Sequence, residues 1–278
     1  MNYSHKITII GIGNAGFRLA LALKSTGYEI PFVVNRTFDD ARMLASLLNK
    51  PEINHNSLPD TIPSSNILCA EDSDVIIISV SDDAIPDVLL SVKSLKSVIS
   101  GKTTVCHISG GTSMDLLSSV PSHGVFYPLM TLSKNKPVDF SLVPFMLEYS
   151  DYTSGEKLKL MCKSLGSEFT EANSEERLRI HVAAVYVSNF VNYLASLSYD
   201  ISTPNHVFLL PLALETIRKA FLYGDPAMVQ TGPAARGDVM TIKKHLEVLE
   251  SKDEHYKVYE LLSELIQRQT NKRENVKF

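Results

Sequence analysis

The chain has 278 residues, of which 44% are apolar and 21% charged, and its formal net charge is -4. This is a soluble globular composition, long enough for one large or two medium domains, with no basic footprint for nucleic acid or an anionic membrane. Cys69, Cys106 and Cys162 are widely separated and form no CxxC or Cys/His spacing, which argues against a disulfide framework and a zinc site and fits a reducing cytoplasm.

The first predicted element is a strand over Lys6-Ile7-Thr8-Ile9-Ile10, followed at once by Gly11-Ile12-Gly13-Asn14-Ala15-Gly16 and a helix over Phe17 to Ser25. The first glycine allows a tight turn, the second lets a pyrophosphate approach the backbone, and the third lets helix and strand pack closely. Free N–H groups at the helix start then face the anion, so Gly11 to Gly16 are the expected dinucleotide cradle. No apolar segment with a cleavage site precedes this strand, so no export signal is expected.

A second strand is predicted over Glu29 to Val34. It runs into Asn35-Arg36-Thr37 where an acid would otherwise accept from a ribose 2′-hydroxyl. The Arg36 guanidinium, with Thr37 as a second donor, suits a 2′-phosphate, so NADP (NADPH) is the expected cofactor. The bland alternative leaves Arg36 solvated and gives the ribose to Asp39 or Asp40.

Phe38 to Leu48 follows as a helix, and Asn49 to Asn66 as mainly loop with room for a short strand. Asp74-Val75-Ile76-Ile77-Ile78-Ser79-Val80 has the continuous β-branched pattern of a strand covered on both faces, and Ser81-Asp82-Asp83-Ala84 caps a helix over Ile85 to Leu95. Further strands are predicted over Thr103 to Ile108, Gly124 to Tyr127 and Pro144 to Tyr149, with a helix over Ser154 to Leu165 ending at Gly166. Such alternation describes a Rossmann-like α/β domain with a doubly wound, mostly parallel sheet. Ligands of open sheets bind beyond the carboxyl ends of the strands, which gathers Gly11 to Gly16, Asn35 to Thr37, Ser79 to Asp82, His107 to Gly111 and Tyr127 to Thr131 on one edge.

After Ser174 the pattern becomes helical: Glu175 to Tyr199, His206 to Tyr223, Val239 to Leu249 and Glu254 to Gln269, with a frayed polar tail from Asn271. An all-helical domain is expected over 156–278, after the nucleotide domain of 1–155. His181 to Tyr199 carries no charge, yet its Ser and Asn residues are too many for lipid, so a helix buried in protein is expected rather than a membrane span. At 100° per residue His181, Val185, Ser188, Asn189 and Asn192 share one side of it, facing a substrate cleft, a subunit interface or a core network. In Thr231-Gly232-Pro233-Ala234-Ala235-Arg236-Gly237-Asp238 the Asp can cap the next helix. Arg236 is either an ordinary loop residue or a ligand for a carboxylate or the cofactor.

GIGNAG at Gly11, DVIIISVSDDAI at Asp74, HISG at His107, YPLMTLS at Tyr127, HVAAVYVSNF at His181 and TGPAARGD at Thr231 together resemble a family of NADP oxidoreductases. In that family a Rossmann-like domain precedes a helical domain catalogued as of unknown function, and the match runs over nearly the whole chain. More distantly the chain is similar to pyrroline-5-carboxylate reductases, ketopantoate reductases and β-hydroxyacid dehydrogenases, with their 6-phosphogluconate dehydrogenase-like C-terminal domains. That similarity implies hydride transfer in an interdomain cleft and a homodimer built through the helical domain. Dehydrogenases of the wider group often carry a lysine proton donor four residues before an Asn on the long helix; Val185 stands there, four before Asn189.

The expectation is therefore an NADPH-dependent reductase of a small carbonyl or imine. Gly11, Ile12, Gly13, Asn14, Ala15 and Gly16 would hold the pyrophosphate, Asn35, Arg36 and Thr37 the 2′-phosphate, and Ser79, Val80 and Ser81 the ribose or the nicotinamide edge. Ser109, His181, Asn189 and Arg236 would line the substrate end, His181 giving the proton and Asn189 holding the carbonyl or imine. The competing readings are a non-catalytic NADP-binding sensor or assembly module, and a structural dimer whose glycines are only turns.

Overall fold

The computed structural model describes residues 3–54 and 58–274. Among them a nine-stranded sheet is formed by β1 (Tyr3–Ile10), β2 (Tyr28–Glu29), β3 (Phe32–Val34), β4 (Ile62–Ser64), β5 (Val75–Ile78), β6 (Thr104–His107), β7 (His123–Pro128), β8 (Phe145–Tyr149) and β9 (Phe169–Glu171). Its path is β4-β3-β1-β5-β6-β7-β8-β9, with β2 beside the start of β1. Every pairing is parallel except β7 with β8.

Helices cover both faces, as β-branched strands with no polar side require. Ile7 and Ile9 of β1 and Val75 and Ile77 of β5 pack with α1 (Asn14–Ser25) and α2 (Phe38–Leu48) through Leu19, Leu23, Leu44 and Leu48. Ile10, Ile76 and Ile78, pointing the other way by the two-residue period, pack with Leu89 and Val92 of α3 (Ile85–Val92) and Val98 of the single turn α4 (Lys96–Ile99). Helix α5 (Tyr152–Leu165) returns to the first face through Leu158 and Met161; Asp151 caps it and Gly166, at φ +69°, ends it.

Several boundaries differ from expectation. The strand expected over Glu29 to Val34 is split at Ile30-Pro31, since Pro31 has no N–H for the ladder, although its carbonyl accepts from Ile62 N at 2.9 Å. The helix after Ser81 stops at Val92, not Leu95, and β9, too short to show a pattern, was not expected.

From Ser174 the chain is helical. Helix α6 (Ser174–Val185), a π turn over Tyr186–Phe190 and α7 (Val191–Ser202) form one 29-residue rod, followed by α8 (Leu210–Leu222), α9 (Val239–Leu249) and α10 (Asp253–Glu274). The segment before Leu210 is a 3-10 turn over Asn205–Leu209, because Pro211 suits a first helical turn and not an interior. Asn173 caps α6 in a reciprocal box with Glu176. The tail expected to fray at Asn271 continues helical to Glu274, and its last residues lie outside the described ones.

The chain divides into two compact units between Asn189 and Phe190. The expectation of a buried uncharged helix is corrected: Val182, Tyr186, Val187 and Phe190 are each about half exposed, and in α7 only Leu197 is buried. Too little of the chain packs on this rod to cover its apolar sides.

Candidate functional site

The strand order reverses direction between β1 and β5, and the helices that follow them, α1 and α3, pack on opposite faces of the sheet, the arrangement that leaves a crevice. Ser79 N donates to Ile10 O at 2.7 Å and Gly11 N to Val34 O at 2.8 Å, so three strand ends are locked around the first glycine. Gly11 has φ +92°, and a Cβ on it would stand 2.6 Å from Ser79 O and from Val80 Cγ1. A Cβ on Gly16 would meet Gly11 O and the Ser79 side chain, so both positions are closed to any larger residue by the protein itself.

Gly13 is different. Its φ is -71°, and a Cβ there would meet only Ser79 O at 3.8 Å. Nothing in the chain requires glycine at this position, whereas a pyrophosphate lying against the backbone at the start of α1 does.

A cavity of about 520 Å³ opens here, lined by Gly11, Ile12, Gly13, Asn35, Arg36, Ser79, Val80 and Ser81, which the sequence had singled out. It is also lined by Ser65, Ile67, Ala84, Asp87 and Val88, which it had not. A hydrophobic face of α3 running off the end of β5 is the signal that could have found the last of these. Asn14 is engaged elsewhere. Its Oδ1 accepts from Lys134 N at 3.1 Å, and with Arg18, which donates to Ser133 O at 2.7 Å, it fastens the loop after β7 onto α1. Ala15 packs against the core.

The 2′-phosphate question turns on which side chains are already engaged. Asn35 Oδ1 accepts from Ile12 N at 3.3 Å, and its Nδ2 donates to Thr37 O and Asp40 Oδ2, both at 3.2 Å. Asp39 is paired with Arg42 at 3.0 Å. Arg36 is exposed at the cavity wall and has no hydrogen bond or ion pair among the described residues, and the Thr37 hydroxyl does not cap α2. Both acids proposed for the bland alternative are thus engaged while the guanidinium is free, which fits a bound 2′-phosphate.

A second cluster lies at the ends of β6 and β7. Ser109 Oγ donates to Asp82 Oδ2 at 2.9 Å and accepts from Gly111 N at 3.1 Å and Thr112 N at 2.9 Å, so its hydroxyl is fully used in shaping the loop. His107 is buried, and its Nδ1 accepts from Ser109 N at 3.2 Å. Burial, with the Arg177 charge adding to it, lowers its pKa to about 4, so it is neutral at physiological pH. Tyr127 Oη lies 3.0 Å from Nδ1 of His181, with the rings edge to face.

Helix α6 delivers His181. One turn before it, Arg177 is fully buried, pairs with Glu148 of β8 and donates to Thr112 O at 2.6 Å and Ser174 Oγ at 3.1 Å. Glu148 also accepts from Ser174 N at 3.0 Å and Ser174 Oγ at 2.8 Å. The buried charge is therefore matched and hydrogen-bonded through its two terminal nitrogens, and it fixes the start of α6 against the sheet.

Of the other expected site residues, Asn189 is exposed at the π turn, its Oδ1 2.9 Å from Ser188 Oγ, which also lies 2.6 Å from Ala184 O. Arg236 is exposed on the Gly232 to Gly237 loop of the second unit, before Asp238, which caps α9 through Thr241. The cavity and the Tyr127, His181, Ser109 and Asp82 cluster both belong to the first unit. Sequence reasoning did not pair Tyr127 with His181, nor find the Arg177–Glu148 pair.

The chain is similar to known proteins in both halves. Residues 6–103 match the family described as NADP oxidoreductase coenzyme F420-dependent, and residues 143–266 match a domain of unknown function, DUF2520. No curated protein matches significantly. A solved structure from Bacteroides fragilis, provisionally classed as an NADP oxidoreductase, is 31% identical, with a TM-score of 0.83 over 95% of this chain and 98% of that one. Pyrroline carboxylate reductase of Plasmodium falciparum, solved with NADP bound, is 14% identical with a TM-score of 0.55, over 97% of this chain and 100% of that one. An imine reductase of Streptomyces aurantiacus is 11% identical with a TM-score of 0.61, over 95% and 93%. The last two are similar in fold.

Proposed function

The chain belongs to the NADP oxidoreductase family, with NADP as its cofactor, and from that premise we propose that it reduces a small carbonyl or imine substrate at the carboxyl edge of its sheet. The observation that carries this reading is the pairing of the glycine-lined crevice at β1 and β5 with a histidine hydrogen-bonded to Tyr127 beyond β6 and β7 on the same sheet edge. NADPH, when bound, supplies the hydride.

The chain's own residues bind, orient and protonate. Gly11, Gly13 and the first N–H groups of α1 would take the pyrophosphate, Arg36 and Thr37 the 2′-phosphate, and Ile67, Ala84 and Val88 give the cavity an apolar side suited to a base. His181 would give a proton to the substrate oxygen or nitrogen as negative charge develops there. Ser109 holds the loop beneath it. Asn189 and Arg236 are proposed ligands, for the carbonyl or imine and for a substrate carboxylate. We also propose a cytoplasmic homodimer joined through the helical region, supported by the apolar side chains left exposed there.

A non-catalytic NADP-binding sensor is favoured by one observation, the Val185 that stands where relatives in the wider group carry a lysine. Turnover decides between them. With NADPH oxidation followed against a panel of small imines and ketones, His181→Gln should lower kcat about a hundredfold while leaving the NADPH Kd unchanged. Full kcat in that variant would remove His181 from the chemistry. Tight NADPH binding with no turnover on any substrate would favour the sensor.

A further inference from the structure

We infer that Tyr127 is the positioning residue of this site, donating its phenolic hydrogen to Nδ1 of His181 and so confining the proton of the neutral imidazole to Nε2. The inference deepens the proposed reductase function, since it states which nitrogen of His181 would meet a substrate.

The geometry carries it. Tyr127 is 9% exposed at the end of β7, and His181 Nδ1, at 3.0 Å, is the one hydrogen-bond partner of its hydroxyl among the described residues. If Nδ1–H were the donor, the phenol would accept that bond and its own hydrogen would have no acceptor among the described residues. Burial holds the Tyr127 pKa above its ordinary value against the opposing charge of Arg177, so the phenol keeps its hydrogen at neutral pH.

The backbone around the pair is built for this contact. A Cβ on Gly110 would stand 2.6 Å from His181 Nδ1 and 2.7 Å from Tyr127 Cζ, so the loop passes both rings only because that residue has no side chain. Arg177, anchored to Glu148 and Thr112, fixes the turn of α6 from which His181 projects. Nε2 has no partner among the described residues, and the adjacent Cδ2 lies 4.0 Å from where a Gly111 Cβ would sit, a position 3.6 Å from Asp82 Oδ2. With its proton confined to Nε2, the neutral ring has an N–H donor left to meet a substrate.

The test is the nitrogen NMR spectrum of the full chain labelled in its histidines, at a pH where the imidazole is neutral, with His181 assigned by loss of its signals in His181→Gln. We expect Nε2–H with a hydrogen-bonded, unprotonated Nδ1 in the wild type. Tyr127→Phe and Gly110→Ala should each relax this to a mixture of tautomers. An Nδ1–H tautomer in the wild type overturns the inference, as does an Nε2–H signature unchanged in Tyr127→Phe or, should that variant not fold, in Gly110→Ala. NADPH titration of the same samples reads the function separately: Nε2–H in a protein that binds no NADPH would remove the proposed reductase and leave the tautomer assignment standing.

Discussion

Gly13 and Gly16 answer to different constraints. Gly16→Ala puts a methyl onto Gly11 O and Ser79, so it should lower the melting temperature whether or not cofactor is present. Gly13→Ala has a permitted backbone and open space, so it should melt like the wild type yet bind NADPH about tenfold more weakly, a loss of about 1.4 kcal/mol. Comparing melting curves and NADPH Kd for the two variants checks both statements. His107 gives a pH signature. Its folded pKa of about 4 lies below the unfolded value, so the folded state binds fewer protons. The stability this contributes is complete above about pH 6.5, drains away as pH falls toward 4, and amounts to about 3 kcal/mol in all. Urea unfolding across that range should show the loss in the wild type and a flatter profile in His107→Asn. At this scale the glycines and Arg36 were legible, because their spacing after a strand is itself the chemistry. Tyr127 and His181 were not legible as a pair: they are 54 residues apart, and the contact depends on where α6 is fixed against the sheet, which a single sequence does not encode in any local pattern.

Helix α6 is held at its start by side chains and not by a broad apolar face. Arg177 is its buried anchor, and replacing it by Met leaves Glu148 without its cation, which should cost about 3–5 kcal/mol of unfolding free energy at fixed protein concentration. The same denaturant titration measures it. The length of this helix was readable from its uncharged run, but of the stripe read from His181 to Asn192 only the part up to Ser188 is partly covered. Covered positions follow the 3.6 period from the buried Arg177 through the partly buried His181, Ala184, Val185 and Ser188, and the π turn over Tyr186–Phe190 then adds a residue and rotates the rest of the rod. Ser188 Oγ against Ala184 O gives that turn a local cause, since the hydroxyl engages the carbonyl a regular helix would use. Asn189 and Asn192 accordingly leave the stripe and are exposed.

Across the whole molecule, burial is lopsided. The first unit has three buried apolar clusters on its sheet, whereas among the described residues of the second unit only Leu197, Ala234, Leu249 and Ser263 are buried. Phe208, Leu212, Phe221, Leu222 and Val248 are each at least 64% exposed, and this is the surface the proposed homodimer would cover. Sedimentation equilibrium should give a dimer, and Leu212→Asp should shift it toward monomer; a monomeric wild type would leave this surface unexplained. The parallel sheet and its crevice were legible from β-branched runs alternating with helices. The exposure of the helical region was not, because periodicity shows that a face is apolar and is silent on which chain covers it. The central claim, that the β1 and β5 crevice holds NADP through the glycine loop and Arg36, is tested most directly by calorimetric titration of cofactor-free protein with NADPH and with NADH. We predict that NADPH binds at least about tenfold more tightly than NADH and that Arg36→Ala erases the difference, the loss of one charge-assisted contact worth about 1.5–3 kcal/mol. Binding of neither nucleotide, or an undiminished NADPH preference in Arg36→Ala, would contradict it.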